Sequence, residues 1–252
     1  MTARAVLALL LLAGLTGRPA LAETAHDMAC PAVELPPFAL PHLRQELAAG
    51  QEVTIVAFGS SSTLGSQASD TRHTYPAVLQ DELESALPDA HVAVLNRGIG
   101  GQDAMEMMTR LETDVLATHP TLVIWQVGAN GAMRGNDPAD FQKLVHEGVH
   151  RLESSGADVI LMDNQRSPAV LAAPAHALFD EAVAEVARRD GAPLFARSRL
   201  MELWQQAGHP YAEFLAADGI HHNNHGYACV AKALARSILK GLGAASRLSA
   251  SQ

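Results

Sequence analysis

The chain has 252 residues, 48% of them hydrophobic and 4% aromatic, with 18 Lys and Arg against 27 Asp and Glu and a formal charge of −9. That acid excess argues against nucleic acid or anionic lipid as a partner, because both are held through a basic patch. The length suits one α/β domain better than two small ones and leaves no room for a separate carbohydrate-binding module.

At the start, Arg4 precedes an apolar run from Ala5 to Leu15 and the small-residue site Ala20-Leu21-Ala22. Residues 1–22 therefore read as a secretory signal peptide, with a mature chain from near Glu23 in the periplasm or medium. The run is shorter than the ~20 apolar residues a membrane-spanning helix needs, and no later segment approaches that length, so no stable membrane insertion is expected after signal removal. Losing the signal removes Arg4 and Arg18 and no acid, which deepens the negative charge. Asp27-Met28-Ala29 before Cys30 is a poor lipobox. Cys30 and Cys229 are the two cysteines; an exported location permits a bridge between them, which would staple the mature N-terminus to the last helix, and two buried thiols are the alternative. With no C-x-x-C, neither a zinc ribbon nor a redox motif is supported.

Residues 23–50 form a Pro-rich lead-in (Pro31, Pro36, Pro37, Pro41). Residues 51–243 alternate short β-type runs with stretches of helical period, the pattern of a parallel α/β sheet. Strands are predicted at Val53 to Phe58, His91 to Leu95, Leu122 to Val127, Val159 to Met162 and Pro193 to Phe195. Helices are predicted at Tyr75 to Ala86, Asp103 to Ala117, Pro138 to Ser154, Ala172 to Arg189 and Tyr227 to about Leu242. Five strands with intervening helices predict a three-layer α/β/α, flavodoxin-like sandwich, followed by an Ala/Ser-rich flexible tail at 244–252.

Ligand sites in such sheets gather beyond the carboxyl ends of the strands. The segments there are Gly59 to Gly65, Asn96 to Gly101 and Gly128 to Gly131, all rich in glycine and small polar residues, so they should share one rim. Taken alone, three serines after a strand mark a turn. Ser61 gains meaning from Asp218-Gly219-Ile220-His221 just before the last helix. A carboxylate three residues ahead of a histidine, in a turn broken by glycine, can bond Nδ1 and leave Nε2 for the serine.

Gly59-x-Ser61-x-Thr63-x-Gly65, Asn96 through Gly101, Gly128-Ala129-Asn130 and Asp218-x-x-His221 resemble, in order, the four blocks of the SGNH (GDSL-like) serine hydrolases. The resemblance spans nearly the whole mature chain and implies an acyl-ester hydrolase needing no metal or organic cofactor. It implies Ser61 as nucleophile, His221 as base, Asp218 as its orienter, and an oxyanion hole from the Ser61 and Gly101 amides and the Asn130 side chain. Two positions depart: the family's acid before the serine is Ser60, and the acid after the block-three asparagine is Gly131; both normally brace the site. The α/β-hydrolase elbow fits worse, because it wants glycine where Thr63 stands.

The expectation is an exported serine esterase acting on short-chain acyl esters, O-acetyl groups of a polysaccharide included, with activity lost as His221 is protonated. The low aromatic content favours a small, open acyl site over a long glycan groove. One alternative is a catalytically weak acyl- or glycan-binding protein. Another is a metal-binding protein using His221, His222 and His225, although Gly219, Asn223, Asn224 and Gly226 favour an irregular turn there. His222 and His225 are expected as exposed or capping residues, and Asn224 as the N-cap of the last helix. Met105, Met107 and Met108 read as core at helical spacing, with an acyl pocket as the alternative. Asp163-Asn164-Gln165-Arg166 reads as a turn bordering the site, where Gln165 or Arg166 could touch a polar substrate. Arg134 reads as a solvated rim residue. The sequence leaves the oligomeric state open.

Overall fold

The strands and helices follow from apolar periodicity, and a computed structural model describes them over residues 29–243. The expected signal peptide (1–22) and tail (244–252) lie outside the described residues, and the lead-in is described from residue 29. The strands are β1 (Val53–Gly59), β2 (Val92–Gly98), β3 (Leu122–Gln126), β4 (Asp158–Met162) and β5 (Leu194–Phe195). They form one sheet in the order β2-β1-β3-β4-β5, all parallel. Every residue of β3 and β4 is buried, as expected for parallel strands covered on both faces, while edge strand β2 is half open.

The helices are α1 (Pro41–Ala48), α2 (Ser61–Leu64), α3 (Tyr75–Ala86), α4 (Ala104–Thr109), α5 (Ala129–Arg134), α6 (Pro138–Ser154), α7 (Pro168–Leu171), α8 (His176–Asp190), α9 (Arg197–Gln206) and α10 (Asn224–Leu242). Alternate strand residues face opposite ways and split the core in two. Ile55, Ile124 and Ile160 pack with Leu43, Leu79, Trp204 and Leu234 of α1, α3, α9 and α10. Val56, Val123 and Leu161 pack with Met107, Val145 and Val183 of α4, α6 and α8. This is the expected three-layer sandwich. Among the described residues no helix is long and apolar enough to cross a membrane.

Two predicted helices need correction. The single helix expected over Asp103 to Ala117 breaks after Thr109 into a wider turn at Leu111–Val115 and a tight one at Leu116–Thr118. The break falls at buried Arg110, whose guanidinium turns inward to donate to the carbonyls of Gly59 and Arg97 at the ends of β1 and β2. The helix expected from Ala172 starts at His176 instead, because Pro174 lacks an N–H and drives Ala173 out of helical geometry. Cys30 and Cys229 are joined in a disulfide with Cα atoms 5.3 Å apart, so the bridge prevails over two free thiols. It ties the lead-in to α10, where the Phe38 amide also donates to the Ser237 carbonyl.

Candidate active site

The chain leaves β1 to one side for β2 and returns to the other side for β3, so the loops after these three strands meet at one rim around a topological switch point. After β1, Ser60 stands at the N-cap position of the one-turn helix α2 without a side-chain capping bond, and Ser61 is the first residue of that helix. Close packing holds that turn: a Cβ on Gly98, at the end of β2, would lie 2.0 Å from the Leu64 amide nitrogen, so only glycine lets the strand reach α2. Below the turn, the side-chain oxygen Oε1 of Gln126, at the end of β3, accepts from the Ser60 amide and hydroxyl, both at 3.0 Å, and from the Thr63 hydroxyl at 3.3 Å.

The turn before α10 brings the expected residues to the serine. His221 Nε2 lies 2.8 Å from Ser61 Oγ, and His221 Nδ1 lies 2.6 Å from Asp218 Oδ2. The other Asp218 oxygen accepts from the backbone amides of Ile220 and His221, both at 3.0 Å. Burial works to raise the Asp218 carboxyl, but the hydrogen bonds from the His221 ring and these two amides outweigh it and hold the group below the usual carboxylate value. An ionised Asp218 can only accept, so Nδ1 carries the ring proton and Nε2 is left to accept from the Ser61 hydroxyl. The histidine and aspartate side chains are 14% and 27% exposed, which leaves the pair partly screened and the serine reachable.

Gly101 sits in the exposed loop after β2 with φ +81°, a backbone geometry that favours glycine. Asn130, in the first turn of α5, donates one Nδ2 hydrogen to the Gln102 carbonyl at 2.8 Å. One helical turn later Arg134 does more than solvate the rim. Its Nη2 donates to the Gly101 carbonyl at 2.7 Å, and its Nη1 pairs with Asp103 at 2.9 Å and Glu106 at 2.8 Å. Asp103 and Glu106 in turn form a reciprocal cap at the start of α4, so Arg134 ties the Gly101 loop to two helices.

Both departures have local reasons. Ser60 is buried on Gln126. Gly131 is buried where a Cβ would come within 2.7 Å of the Phe179 ring, which leaves no space for an acid. The three histidines do not converge on a shared ion. His221 faces Ser61, whereas His222 is fully buried and donates through Nδ1 to the Phe214 carbonyl at 3.0 Å, contrary to its expected exposure. Its burial, with the Arg197 charge behind it, pushes its pKa down to about 3. His225 is half-buried, stacked on Phe214 with ring centres 5.3 Å apart and close to Cys229 Sγ. It forms a three-residue cluster with Cys30 and Cys229, but the disulfide already engages both sulfurs. The N-cap of α10 is Asn223, whose side chain accepts from the Gly226 amide; the Asn224 side chain instead bonds Ser69.

Met107 is core and accepts from Trp125 Nε1, while Met105 is 63% exposed. Arg166 is committed to Asp180 and Glu202, and Gln165 is buried behind the His221 turn instead of facing solvent. Gln126 and Arg197 went unread in the sequence. The available signal for Gln126 was an amide closing an otherwise apolar strand, Leu-Val-Ile-Trp-Gln, since a buried polar group requires partners.

Residues 28–244 match the family described as non-GDSL lipase-like. The chain is 29% identical over 126 residues to esterase TesA of Pseudomonas aeruginosa, covering 50% of this chain and 60% of that protein's length. It is 22% identical over 185 residues to thioesterase 1/protease 1/lysophospholipase L1 of Escherichia coli K12, covering 73% of this chain and 83% of that one. Among solved structures it resembles a two-domain esterase active on acetylated mannans, with a TM-score of 0.69 at 22% identity over 82% of this chain and 55% of the other.

Proposed function

The chain belongs to the non-GDSL lipase-like family of SGNH/GDSL-type esterases, and on that premise we propose that it is an exported serine esterase acting on short-chain acyl esters, O-acetyl groups included. The observation that carries this reading is the unbroken chain Asp218–His221–Ser61, with contacts of 2.6 and 2.8 Å. In it, His221 Nε2 takes the Ser61 proton as Oγ attacks the ester carbonyl, and the ionised Asp218 stabilises the imidazolium that forms. The carbonyl oxygen becomes an oxyanion held by the Ser61 and Gly101 amides and by the second Nδ2 hydrogen of Asn130, the first being spent on Gln102. As the tetrahedral species collapses, His221 gives the proton to the leaving alcohol. Water then enters, is deprotonated by His221, and releases the acid while the proton returns to Ser61.

A short acyl group is favoured by the open rim. Leu64 and Ile99, 48% and 43% exposed, offer an apolar shelf beside the turn and loop that carry Ser61 and Gly101. The acetylated-mannan activity of one structural relative supports an O-acetyl substrate, and the names esterase and lysophospholipase of the others support acyl oxygen esters generally.

Hydrolysis of p-nitrophenyl acetate, butyrate and octanoate by the mature chain tests the proposal, alongside Ser61→Ala and with EDTA present. Turnover that falls from acetate to octanoate, survives EDTA and is lost in Ser61→Ala supports it. An octanoate preference overturns the short-chain assignment, and turnover unaffected by Ser61→Ala overturns the mechanism.

A further inference from the structure

Asp218 and His221 satisfy one another within their own turn, and two bonds from the segment after β4 hold that turn in place, one of them from the Ala169 amide to the Gly219 carbonyl at 3.2 Å. The Ile220 carbonyl, between the two residues, accepts a hydrogen bond from Gln165 Nε2 at 3.0 Å. Gln165 lies just beyond β4 and is 1% exposed. Its Oε1 accepts from Arg197 Nη2 at 2.8 Å, and Arg197 Nε donates to the Asp163 carbonyl at 3.2 Å. Since a guanidinium can only donate, the amide oxygen must face Arg197 and the amide nitrogen must face Ile220; the orientation is dictated.

Arg197 is fully buried, and among the described residues its Nη1 has no hydrogen-bond acceptor. Burying a cation with one donor unmet is costly, and an apolar core residue of similar volume would serve stability at least as well. The arrangement makes sense if the pair is kept for what it holds. We propose that Gln165 and Arg197 are positioning residues for the reaction: Arg197 locks the Gln165 amide, and Gln165 fixes the Ile220 peptide so that His221 stays in line between Asp218 and Ser61. Neither touches substrate. The inference rests on the esterase reading for its kinetic consequence, but its geometric content does not.

The decisive variant is Gln165→Glu. Beside Arg197 the new carboxylate is ionised, keeps its acceptor role toward the guanidinium and loses the donor toward Ile220, so the core pair survives while the Ile220 peptide loses its side-chain anchor. Melting temperature, kcat and KM on p-nitrophenyl acetate, and the downfield Nδ1 proton of the Asp218–His221 bond by NMR are the readouts. The expected result is a near-native melting temperature, KM within about twofold, kcat down about 10- to 100-fold as for a small misplacement of a catalytic group, and an Nδ1 proton broadened or lost. Should Gln165→Glu not fold, Arg197→Lys keeps the charge but loses the fork that locks the amide, and the same changes are expected in milder form. A folded Gln165→Glu with native kcat and an unchanged Nδ1 proton overturns the proposal. If the parent enzyme shows no turnover while the variant still loses the proton, the esterase reading fails and the positioning stands.

Discussion

Restoring the family's acid at position 131 should damage this protein, and the damage can be scaled in advance. Gly131 lies in α5 next to Asn130, and a Cβ there would sit 2.7 Å from the nearest atom of the Phe179 ring. That ring cannot swing aside cheaply: it is fully buried and packed on Phe141 with centroids 4.5 Å apart. Gly131→Ala therefore carries an overpacking cost at the upper end of the usual range, about 2–3 kcal/mol, offset by about 1 kcal/mol of helix propensity, for a net loss of about 1–2 kcal/mol. In a domain this size that lowers Tm by about 2–8 °C. Gly131→Asp adds a buried carboxylate with no partner and should fall further, with kcat reduced because α5 carries Asn130 away from Ser61. Thermal unfolding of both variants, alone and with Phe179→Leu, is the assay. Measured against Phe179→Leu alone, Gly131→Ala should cost less than it does in the parent, because the smaller residue leaves space for the new methyl. A Gly131→Ala protein as stable as the parent, or a Gly131→Asp protein with raised kcat, would refute the reasoning.

Asn130→Ala removes one of the proposed oxyanion donors and should lower kcat by about 10²- to 10³-fold with little change in KM, measured on p-nitrophenyl acetate. For pH, two buried groups oppose one another. His222 is held down to about 3, so its contribution to stability is complete above its unfolded value of about 6.5 and is lost as pH falls, at about 1.4 kcal/mol per unit. Burial, with Asp180 adding to it, pushes Asp163 up to about 7, so its contribution is complete below its unfolded value of about 3.9 and is lost as pH rises toward 7. Between about pH 4 and 6.5 the two slopes cancel, and His222→Gln should gain on the parent by about 1.4 kcal/mol for each unit of acidification in that window. Urea midpoints at pH 7, 6 and 5 test this, and a constant difference between the two proteins rules it out.

How much was legible divides by the range of the interaction that decides it. The strands were legible because a parallel sheet buries both faces and so writes continuous apolar runs, and Tyr75–Ala86 and Pro138–Ser154 lie where their periodicity predicted. That Ser61, Asp218 and His221 meet was legible because Asp218 and His221 lie three residues apart and Ser61 opens the turn after a strand, while the contact from His221 to Ser61 spans 160 residues. What failed was decided across the chain. The break at Arg110 depends on carbonyls of β1 and β2, and the burial of His222 depends on Phe214. The role of Arg134 depends on a glycine carbonyl 33 residues away. Polar residues facing inward look like ordinary turn or surface residues until the topology says what lies opposite them.

The same long-range logic explains why an apolar sheet ends in amides. Gln126 closes β3 and holds the Ser60 turn; Gln165 follows β4 and holds the Ile220 peptide. Adjacent strands thus send one carboxamide to the turn that carries Ser61 and one to the turn that carries His221. An amide suits both tasks, since it accepts and donates at fixed geometry without bringing a charge that would compete with Asp218 for the His221 ring. On this view the distance between Ser61 and His221 is set less by the loops that carry them than by the strand pairing of β3 with β4, where Gln126 lies opposite Met162. Two residues 160 apart in sequence and 2.8 Å apart in space are thereby referred to a pair of fully buried central strands.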